Sequence, residues 1–171
     1  MATRWTASGS EVQMLRFEFK EEAIAYGRMI PVHMGRFTKM VKPPKQRAYQ
    51  EAVQRQSFDQ YHAQRGADAP LLDGALVLSV RVYKAIPKSW SRKKAALAGD
   101  GLLRPTVKPD MDNYIKLVLD GMTGVVWVDD AQVVGYERTG KFYTPGSPRT
   151  EVRIWTMEEL IAQRQAKGER Q

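Results

Sequence analysis

Two short acidic clusters carry the residue types best suited to chemistry. The first is Asp110-Met111-Asp112, just before a segment with a helical pattern, and the second is Asp129-Asp130, which follows an apolar run. Carboxylates at positions i and i+2 can converge on one cation where the backbone is extended. A third carboxylate from a nearby strand end would complete the site. Because magnesium prefers oxygen ligands and keeps several waters, these acids predict a metal site of the kind used in phosphodiester hydrolysis.

Lys116 lies one helical turn beyond Asp112 on the same face, where it could stabilise charge developing on a phosphate. The acids also have ordinary structural interpretations. An aspartate before a helix commonly caps it, and Asn113 competes with Asp112 for that role. An Asp-Asp pair at a strand end is commonly a solvated turn. A lone D-x-D motif is therefore weak, and its surroundings decide.

The elements that must position these acids can be predicted from periodicity and turn residues. The pattern predicts strands over 15–19, 75–83, 125–128, 132–138 and 151–156, and helices over 48–64, 92–98, 113–122 and 157–171. The segment 23–50 holds several glycines and prolines and is predicted to be mostly loop, and residues 143–147 are predicted to form a Gly/Pro/Ser loop. Together they indicate an α+β domain, a small mixed β-sheet of about four or five strands with packed α-helices. The metal site is expected where helix 113–122 meets the strand that ends at Asp129.

The composition favours an anionic partner. The chain has 171 residues and a formal net charge of +8, from 27 Lys and Arg against 19 Asp and Glu. A surplus of this kind attracts phosphates. The sequence has no apolar run long enough to cross a bilayer and no cysteine for a disulfide or a thiolate metal site. The lack of a long apolar run predicts no membrane partner. The sequence also lacks a glycine-rich phosphate loop, which predicts no nucleotide cofactor.

The basic residues gather in two stretches. Residues 23–50 contain no acid, and residues 84–108 contain only Asp100. This pattern favours contact with DNA over an ordinary solvated loop. The candidate DNA-binding residues are Arg28, Arg36, Lys39, Lys42, Lys88, Lys93, Lys94 and Lys108.

The same motifs resemble those of a known family. The matching residues are Ile86-Pro87-Lys88-Ser89-Trp90, Lys108-Pro109-Asp110-Met111-Asp112-Asn113-x-x-Lys116, Leu119-Asp120-Gly121 and Gly124-x-x-Trp127-x-Asp129-Asp130-Ala131-Gln132-Val133. In this order and spacing they are similar to the RusA family of Holliday junction resolvases. The resemblance implies a homodimeric, magnesium-dependent endonuclease that resolves four-way DNA junctions by paired symmetric nicks, in recombination and repair. Manganese is an alternative ion.

The resemblance also implies a role for each motif residue. Asp110, Asp112 and Asp130 match the catalytic, metal-binding carboxylates, and Lys116 matches the catalytic lysine. The supporting residues would be Asp129, Asn113 and Gln132, with Asp129 acting near the ligands or as a cap and the two amides orienting ligands.

The resemblance implies one nuclease domain over residues 13–157. Residues 1–12 are expected to form a flexible leader and residues 158–171 a polar C-terminal helix or tail. The N-terminus has no apolar segment of the secretory type. With the family's bacterial or phage origin, this predicts a cytoplasmic protein.

Two other interpretations remain open. The chain could be a non-catalytic protein that binds branched DNA and uses the acids as caps and turns. Its binding would then need no magnesium and would survive loss of Asp110 or Asp112. The chain could also be a metal-dependent phosphohydrolase that acts on nucleotides, although basic residues spread over two stretches argue against a small substrate.

Overall fold

The computed structural model describes residues 14–21, 24 and 27–166. Its elements, in chain order, are β1 (Leu15–Phe19), β2 (Ile30–Met34), β3 (Phe37–Val41), α1 (Pro44–Arg65), β4 (Leu76–Ala85), α2 (Arg92–Gly99), α3 (Met111–Met122), a 3-10 helix (Asp130–Gln132), β5 (Val133–Tyr136), β6 (Gly140–Thr144), β7 (Arg149–Thr156) and α4 (Met157–Ala166). The predicted leader (1–12) lies outside the described residues, and the predicted tail is described to Ala166, as α4.

The central sheet has five strands in mixed orientation. The order is β1-β7-β4-β5. β6 also pairs with β4, along the later residues of that strand, after those that pair with β5. β7 is antiparallel to both β1 and β4, whereas β5 and β6 run parallel to β4. This mixed sheet with packed helices confirms the α+β class and the predicted number of strands.

One face of the sheet is covered by α1 and α3. β1 alternates strictly, with Leu15, Phe17 and Phe19 buried against the helices. Leu78 and Val80 of β4 belong to the same core. Burying this apolar surface is the main contribution that holds the helices on the sheet. The opposite face is covered by α4 at one end only, where Val77, Trp155 and Leu160 pack together.

Helix α1 follows its predicted pattern but begins earlier, at Pro44. Tyr49, Val53, Ser57 and Tyr61 are buried at steps of four residues. The helix ends at Gly66, whose φ of 104° an L side chain rarely adopts. Gly66 donates its backbone N–H to the His62 carbonyl over 2.8 Å.

Three local predictions were wrong. Residues 23–50 are not mostly loop, because they contain the β2–β3 hairpin and the start of α1. The apolar run 125–128 is a turn, in which Trp127 makes only isolated bridges to Leu72 and Thr123. Strand β6 was not predicted, since residues 143–147 were assigned to a loop.

None of the described helices is both long enough and apolar enough to cross a membrane.

Candidate active site

Asp110 and Asp112 lie at the N-terminal end of α3, and neither carboxylate is used to cap the helix. Asp110 occupies the N-cap position with extended backbone (φ −72°, ψ 159°), but its side chain makes no capping hydrogen bond. Asp112 is exposed in the first turn. The helix N-terminus favours negative charge here. The cap was predicted at Asp112 or Asn113, but α3 begins at Met111 and places both in its first turn. The N-cap residue is Asp110, and its carboxylate oxygens make no capping bond.

The segment that leads into Asp110 is held by two lysines from the sheet. Lys141 on β6 donates its ammonium to the carbonyls of Val107 (2.9 Å) and Pro109 (3.1 Å). Lys84 on β4 reaches the Lys108 carbonyl over 3.4 Å. These contacts place positive charge beside Asp110. Sequence reasoning missed both lysines as positioning residues, because they lie far from the motif along the chain and each resembles any other surface lysine.

Asp130 is fixed at the opposite end of α3. Its Oδ1 accepts a hydrogen bond from the Thr123 hydroxyl and another from the Trp127 indole nitrogen, which lies 3.2 Å away. The indole also reaches the Thr123 hydroxyl over 3.0 Å. Thr123 is the C-cap residue of α3, and Trp127 is fully buried. Both bonds to the carboxylate use Oδ1, so Oδ2 takes no part in them.

Asp129 and Gln132 shape the turn that presents Asp130. The Asp129 carboxylate accepts from the Ala131 N–H over 2.7 Å, and the Gln132 side chain accepts from the Asp129 N–H over 2.9 Å. This reciprocal pair is a capping box. Asp129 thus acts as a cap, one of the two roles foreseen for it. Gln132 also donates to the carbonyls of Leu72 (3.0 Å) and Gly74 (3.1 Å), which ties the acidic turn to the loop before β4.

The polarity near Asp130 also affects Tyr136 on β5. Partial burial raises the pKa of the Tyr136 phenol, and the Asp130 carboxylate raises it further. Both effects disfavour a second negative charge beside Asp130. Tyr136 therefore stays protonated around neutral pH and remains a possible hydrogen-bond donor.

The three candidate metal-binding carboxylates do not meet within one chain. Helix α3 has 12 residues, so at a rise of about 1.5 Å per residue its ends lie roughly 18 Å apart. Asp110 and Asp112 stand at one end, while Asp130 is bonded to Thr123 at the other. Within residues 14–21, 24 and 27–166, no group of three or more His, Cys, Asp or Glu side chains is placed to hold a metal ion. The donor chemistry suits a divalent cation, but a single chain does not assemble it.

Lys116 and Asn113 are the other two predicted site residues on α3. Lys116 is exposed one turn beyond Asp112, and Asn113 is half-buried in the first turn. Their positions at the N-terminal half of the helix keep them with Asp110 and Asp112 rather than with Asp130.

Most of the predicted DNA-binding residues are exposed on two separate features. Arg28, Arg36 and Lys39 lie on the β2–β3 hairpin or just before it. Lys93 and Lys94 lie in the first turn of α2, Lys88 precedes α2, and Lys108 precedes α3. Lys94 lies with its ammonium 4.1 Å above the Trp90 ring. Lys42 differs from the rest, because its ammonium is bonded to Asp120 (3.1 Å) and Gln50 (2.9 Å).

The chain thus combines a mixed sheet, a helix that carries the D-x-D motif and a turn that carries the D-D-A-Q-V motif. Residues 22–155 match the family described as Endodeoxyribonuclease RusA. The match covers more than half of the chain, and the chain belongs to this family of endodeoxyribonucleases. The resemblance carried by the motifs is thereby confirmed.

A curated relative is also similar to this chain. It is described as "Uncharacterized protein YqaN" of Bacillus subtilis (strain 168) and is 45% identical over 86 residues. That alignment covers 49% of this chain and 59% of the relative. The chain therefore spans about three fifths of the length of the curated relative it matches.

Proposed function

We propose that this chain is a divalent-metal-dependent DNA endonuclease that acts as a homodimer and resolves four-way junctions by paired symmetric nicks. Magnesium is the expected ion and manganese an alternative, and the setting is recombination and repair in the cytoplasm. The family supports the reaction class, and the net charge of +8 supports a nucleic-acid substrate.

One observation carries the proposal. Asp110 and Asp112 stand two residues apart at a helix N-terminus, and neither side chain is used as a cap. Two uncommitted carboxylates side by side repel each other, and a divalent cation relieves that repulsion. The lysines that hold the preceding segment add positive charge where a phosphate would approach.

The distance between the acids supports a second copy of the chain. Because Asp130 lies at the far end of α3, it can join Asp110 and Asp112 only if they come from another molecule. Two copies related by a two-fold axis, with their α3 helices antiparallel, would form two equivalent sites. In each site Asp110 and Asp112 of one protomer would face Asp130 of its partner. Two symmetric nicks need two such sites.

The β2–β3 hairpin supports the same arrangement. Lys42 at its base is bonded to Asp120 in the last turn of α3, so the hairpin extends from the end where Asp130 lies. Ile30, Val32 and Met34 face the same side as Phe37 in the hairpin register, and all four are exposed. Exposed apolar patches mark interaction surfaces. We assign this side of the hairpin to the second copy.

A bound divalent ion would generate hydroxide, polarise the phosphate and stabilise the leaving oxygen. The chain's own residues supply the rest. Asp110, Asp112 and Asp130 would hold the ion, and Thr123 with Trp127 would keep Asp130 oriented. Lys116 would stabilise negative charge on the phosphate. The exposed basic residues before the hairpin, in its turn and around α2 would bind the backbone of the junction arms, whereas Lys39 faces the side assigned to the second copy.

The test is a nicking assay on a synthetic four-way junction, compared with linear duplex of the same sequence. It is run with magnesium, manganese or EDTA, on wild type and Asp112→Asn. We expect metal-dependent paired nicks by wild type, and a loss of roughly 100-fold or more in Asp112→Asn while junction binding is kept. The matched control is Asp59→Asn, an exposed aspartate on α1, which should nick like wild type.

The non-catalytic alternative predicts a different result. If wild type binds the junction tightly but makes no nick with either metal, the endonuclease proposal is wrong. The chain would then be a branched-DNA-binding protein whose carboxylates serve as structural groups.

A further inference from the structure

The sheet face opposite α1 and α3 contains a small basic cavity that the proposed nuclease function does not use. It has a volume of about 250 Å³ and lies between β4, β7, α4 and the turn that joins β5 to β6. Five arginines line it: Arg16, Arg81, Arg138, Arg153 and Arg164. Glu137 is the acid among its lining residues.

The positive charge in this cavity exceeds what nearby acids neutralise. Glu137 is already bonded to Arg164. Glu151, on the same sheet face, is bonded to Arg149 over 2.8 Å, and its register partner Glu18 on β1 lies with it beside Arg16 and Arg153. In the described part of the chain, Arg16, Arg138 and Arg153 form no ion pair. Clustered guanidinium groups without counter-charges repel one another, and an anion placed among them removes that penalty.

Two buried hydrogen-bond donors in the same lining lack partners. Ser79 on β4 is 2% exposed and Trp155 on β7 is 8% exposed. Within the described residues, the Ser79 hydroxyl and the Trp155 indole N–H are both without a hydrogen-bond partner. Buried donors are normally paired, and the described residues supply no acceptor for these two.

The backbone at Arg138 adds an independent observation. Arg138 has a φ of 47°, the one positive φ among the described non-glycine residues. A residue other than glycine rarely adopts this conformation, and such strain concentrates at ligand clamps and active sites. Here it is found at a residue that lines the basic cavity.

We propose that this cavity binds a phosphate group through its arginines, beside Ser79 and Trp155 of the lining. Guanidinium groups match the geometry of phosphate oxygens. The volume is smaller than the roughly 300–1,000 Å³ of sites for drug-sized ligands, which fits a phosphate group better than a whole nucleotide.

The site is separate from the proposed nuclease centre. Leu78 and Val80 of β4 face the helices, so Ser79 and Arg81 between and beyond them face the other side of the sheet. The phosphate could belong to a small molecule or to the backbone of a DNA arm that passes behind the sheet. Both sources present the same oxygens, and the experiment separates them. This inference does not depend on whether the chain cleaves DNA.

The test follows the Trp155 indole N–H resonance by NMR, assigned with Trp155→Phe because the chain has four tryptophans. Wild type is titrated with inorganic phosphate and, at equal ionic strength, with sodium chloride. We expect the Trp155 resonance to shift saturably with phosphate and not with sodium chloride. Arg153→Gln and Arg138→Gln should each weaken phosphate binding roughly tenfold, the scale of a lost charge-assisted hydrogen bond. Arg55→Gln, an exposed arginine of α1, is the matched control and should bind like wild type.

The DNA arm of the experiment titrates Asp112→Asn protein with a short duplex in EDTA. A Trp155 shift with duplex but not with inorganic phosphate assigns the site to the DNA backbone, and the reverse assigns it to a free phosphate group. If neither titrant moves the resonance beyond the chloride control, the proposal is wrong. It is equally wrong if the two cavity variants bind as tightly as wild type. Since the phosphate titration contains neither DNA nor metal, its failure leaves the nuclease proposal untouched.

Discussion

The Trp127 indole nitrogen donates a hydrogen bond to the Asp130 carboxylate over 3.2 Å. The donor belongs to a fully buried side chain, so the acceptor is anchored to the core rather than left to solvent. Thr123 joins the same two groups through its hydroxyl. An exposed aspartate in a turn would sample several rotamers, whereas Asp130 is held with Oδ2 away from these bonds. The pair thus converts an acidic turn into a positioned carboxylate.

Removing the Thr123 hydroxyl should loosen Asp130 and impair metal use. In Thr123→Val we expect the junction-nicking rate at saturating magnesium to fall about tenfold, and the magnesium concentration for half-maximal nicking to rise by about 10–100-fold. Both are measured from initial nicking rates over a magnesium series. Thr123 acts by positioning Asp130 and makes no contact with the phosphate in this proposal.

Thr123→Ser is the matched control, because it keeps the hydroxyl. It should restore the wild-type magnesium dependence. If Thr123→Val shows the wild-type magnesium dependence and differs only in thermal stability, then the hydroxyl has a structural role alone and Asp130 is not held for an ion.

Gln132 should matter for stability more than its exposed surroundings suggest. Its side chain accepts from the N–H groups of Val128 and Asp129 and donates to two carbonyls in the loop before β4. Gln132→Ala breaks all four bonds, and we expect a loss of about 2 kcal/mol in the free energy of unfolding. Urea denaturation measures it. Gln54→Ala, an exposed glutamine on α1, should stay within about 0.5 kcal/mol of wild type. A similar change in both variants would contradict the role given to Gln132.

Elements with a strong local signal were predictable from the sequence. β1 alternates between core and solvent. The predicted helix over 92–98 is α2, and its N-cap Ser91 accepts from the Lys94 N–H over 3.3 Å. The β2–β3 hairpin was missed for a physical reason. Its side chains are nearly all exposed, so no alternation of polar and apolar residues marks it. Only Gly35, with a φ of 61° in the turn, carries a local signal.

The candidate site could be predicted by residue type but not by arrangement. The run 125–128 looks like a strand because buried turns and buried strands are equally apolar over four residues. In the structure this run forms a turn that places Trp127 against Asp130 at the end of α3. Spacing along the chain gave no sign that Asp130 and Asp112 lie at opposite ends of one helix. The lysines on β4 and β6 were missed because their contacts arise only after the sheet has formed.

Gly121 should tolerate no side chain, although it lies inside a helix. A Cβ there would lie 2.6 Å from Val53 Cγ1 on α1, too close for any real contact. Gly121→Ala gains about 1 kcal/mol in helix propensity but overpacks the α1–α3 interface, for a net destabilisation of about 1–2 kcal/mol. Urea denaturation measures the change. Gly99→Ala, at the end of α2 with open space around it, should be neutral or slightly stabilising.

A second background makes this prediction sharper. In Val53→Ala protein the clash is removed, so Gly121→Ala should become stabilising by up to about 1 kcal/mol. Equal effects of Gly121→Ala in both backgrounds would mean that the clash with Val53 is not the cause.

The hairpin should contribute to dimerisation. Phe37 is 80% exposed and Met34 is 62% exposed, and they are directly paired across the turn. Phe37→Ser combined with Met34→Ser should raise the dimer dissociation constant at least tenfold, as measured by analytical ultracentrifugation. Phe58 is an exposed phenylalanine on α1, outside the hairpin. Phe58→Ser is the control and should leave the dimer intact. A wild type that stays monomeric at all concentrations, or a double variant that dimerises like wild type, would contradict the assignment.

The sharpest prediction concerns which chain supplies each carboxylate. If Asp110 and Asp112 of one protomer work with Asp130 of its partner, the inactive variants Asp112→Asn and Asp130→Asn should complement each other. In a mixed dimer, one site then carries both substitutions and the other carries none. With free exchange of subunits, half of the dimers are mixed, so nicking should return to about a quarter of the wild-type level.

The same mixture separates the two possible arrangements. If each site took all of its acids from one chain, every site in the mixed dimer would carry a substitution, and the mixture would be as inactive as its components. Subunit exchange is verified with an affinity tag on one variant, so that failure to mix is not mistaken for failure to complement. Recovery should also be limited to one strand per mixed dimer, because one site is intact. Single nicks without paired nicks on the four-way junction would therefore accompany the restored activity.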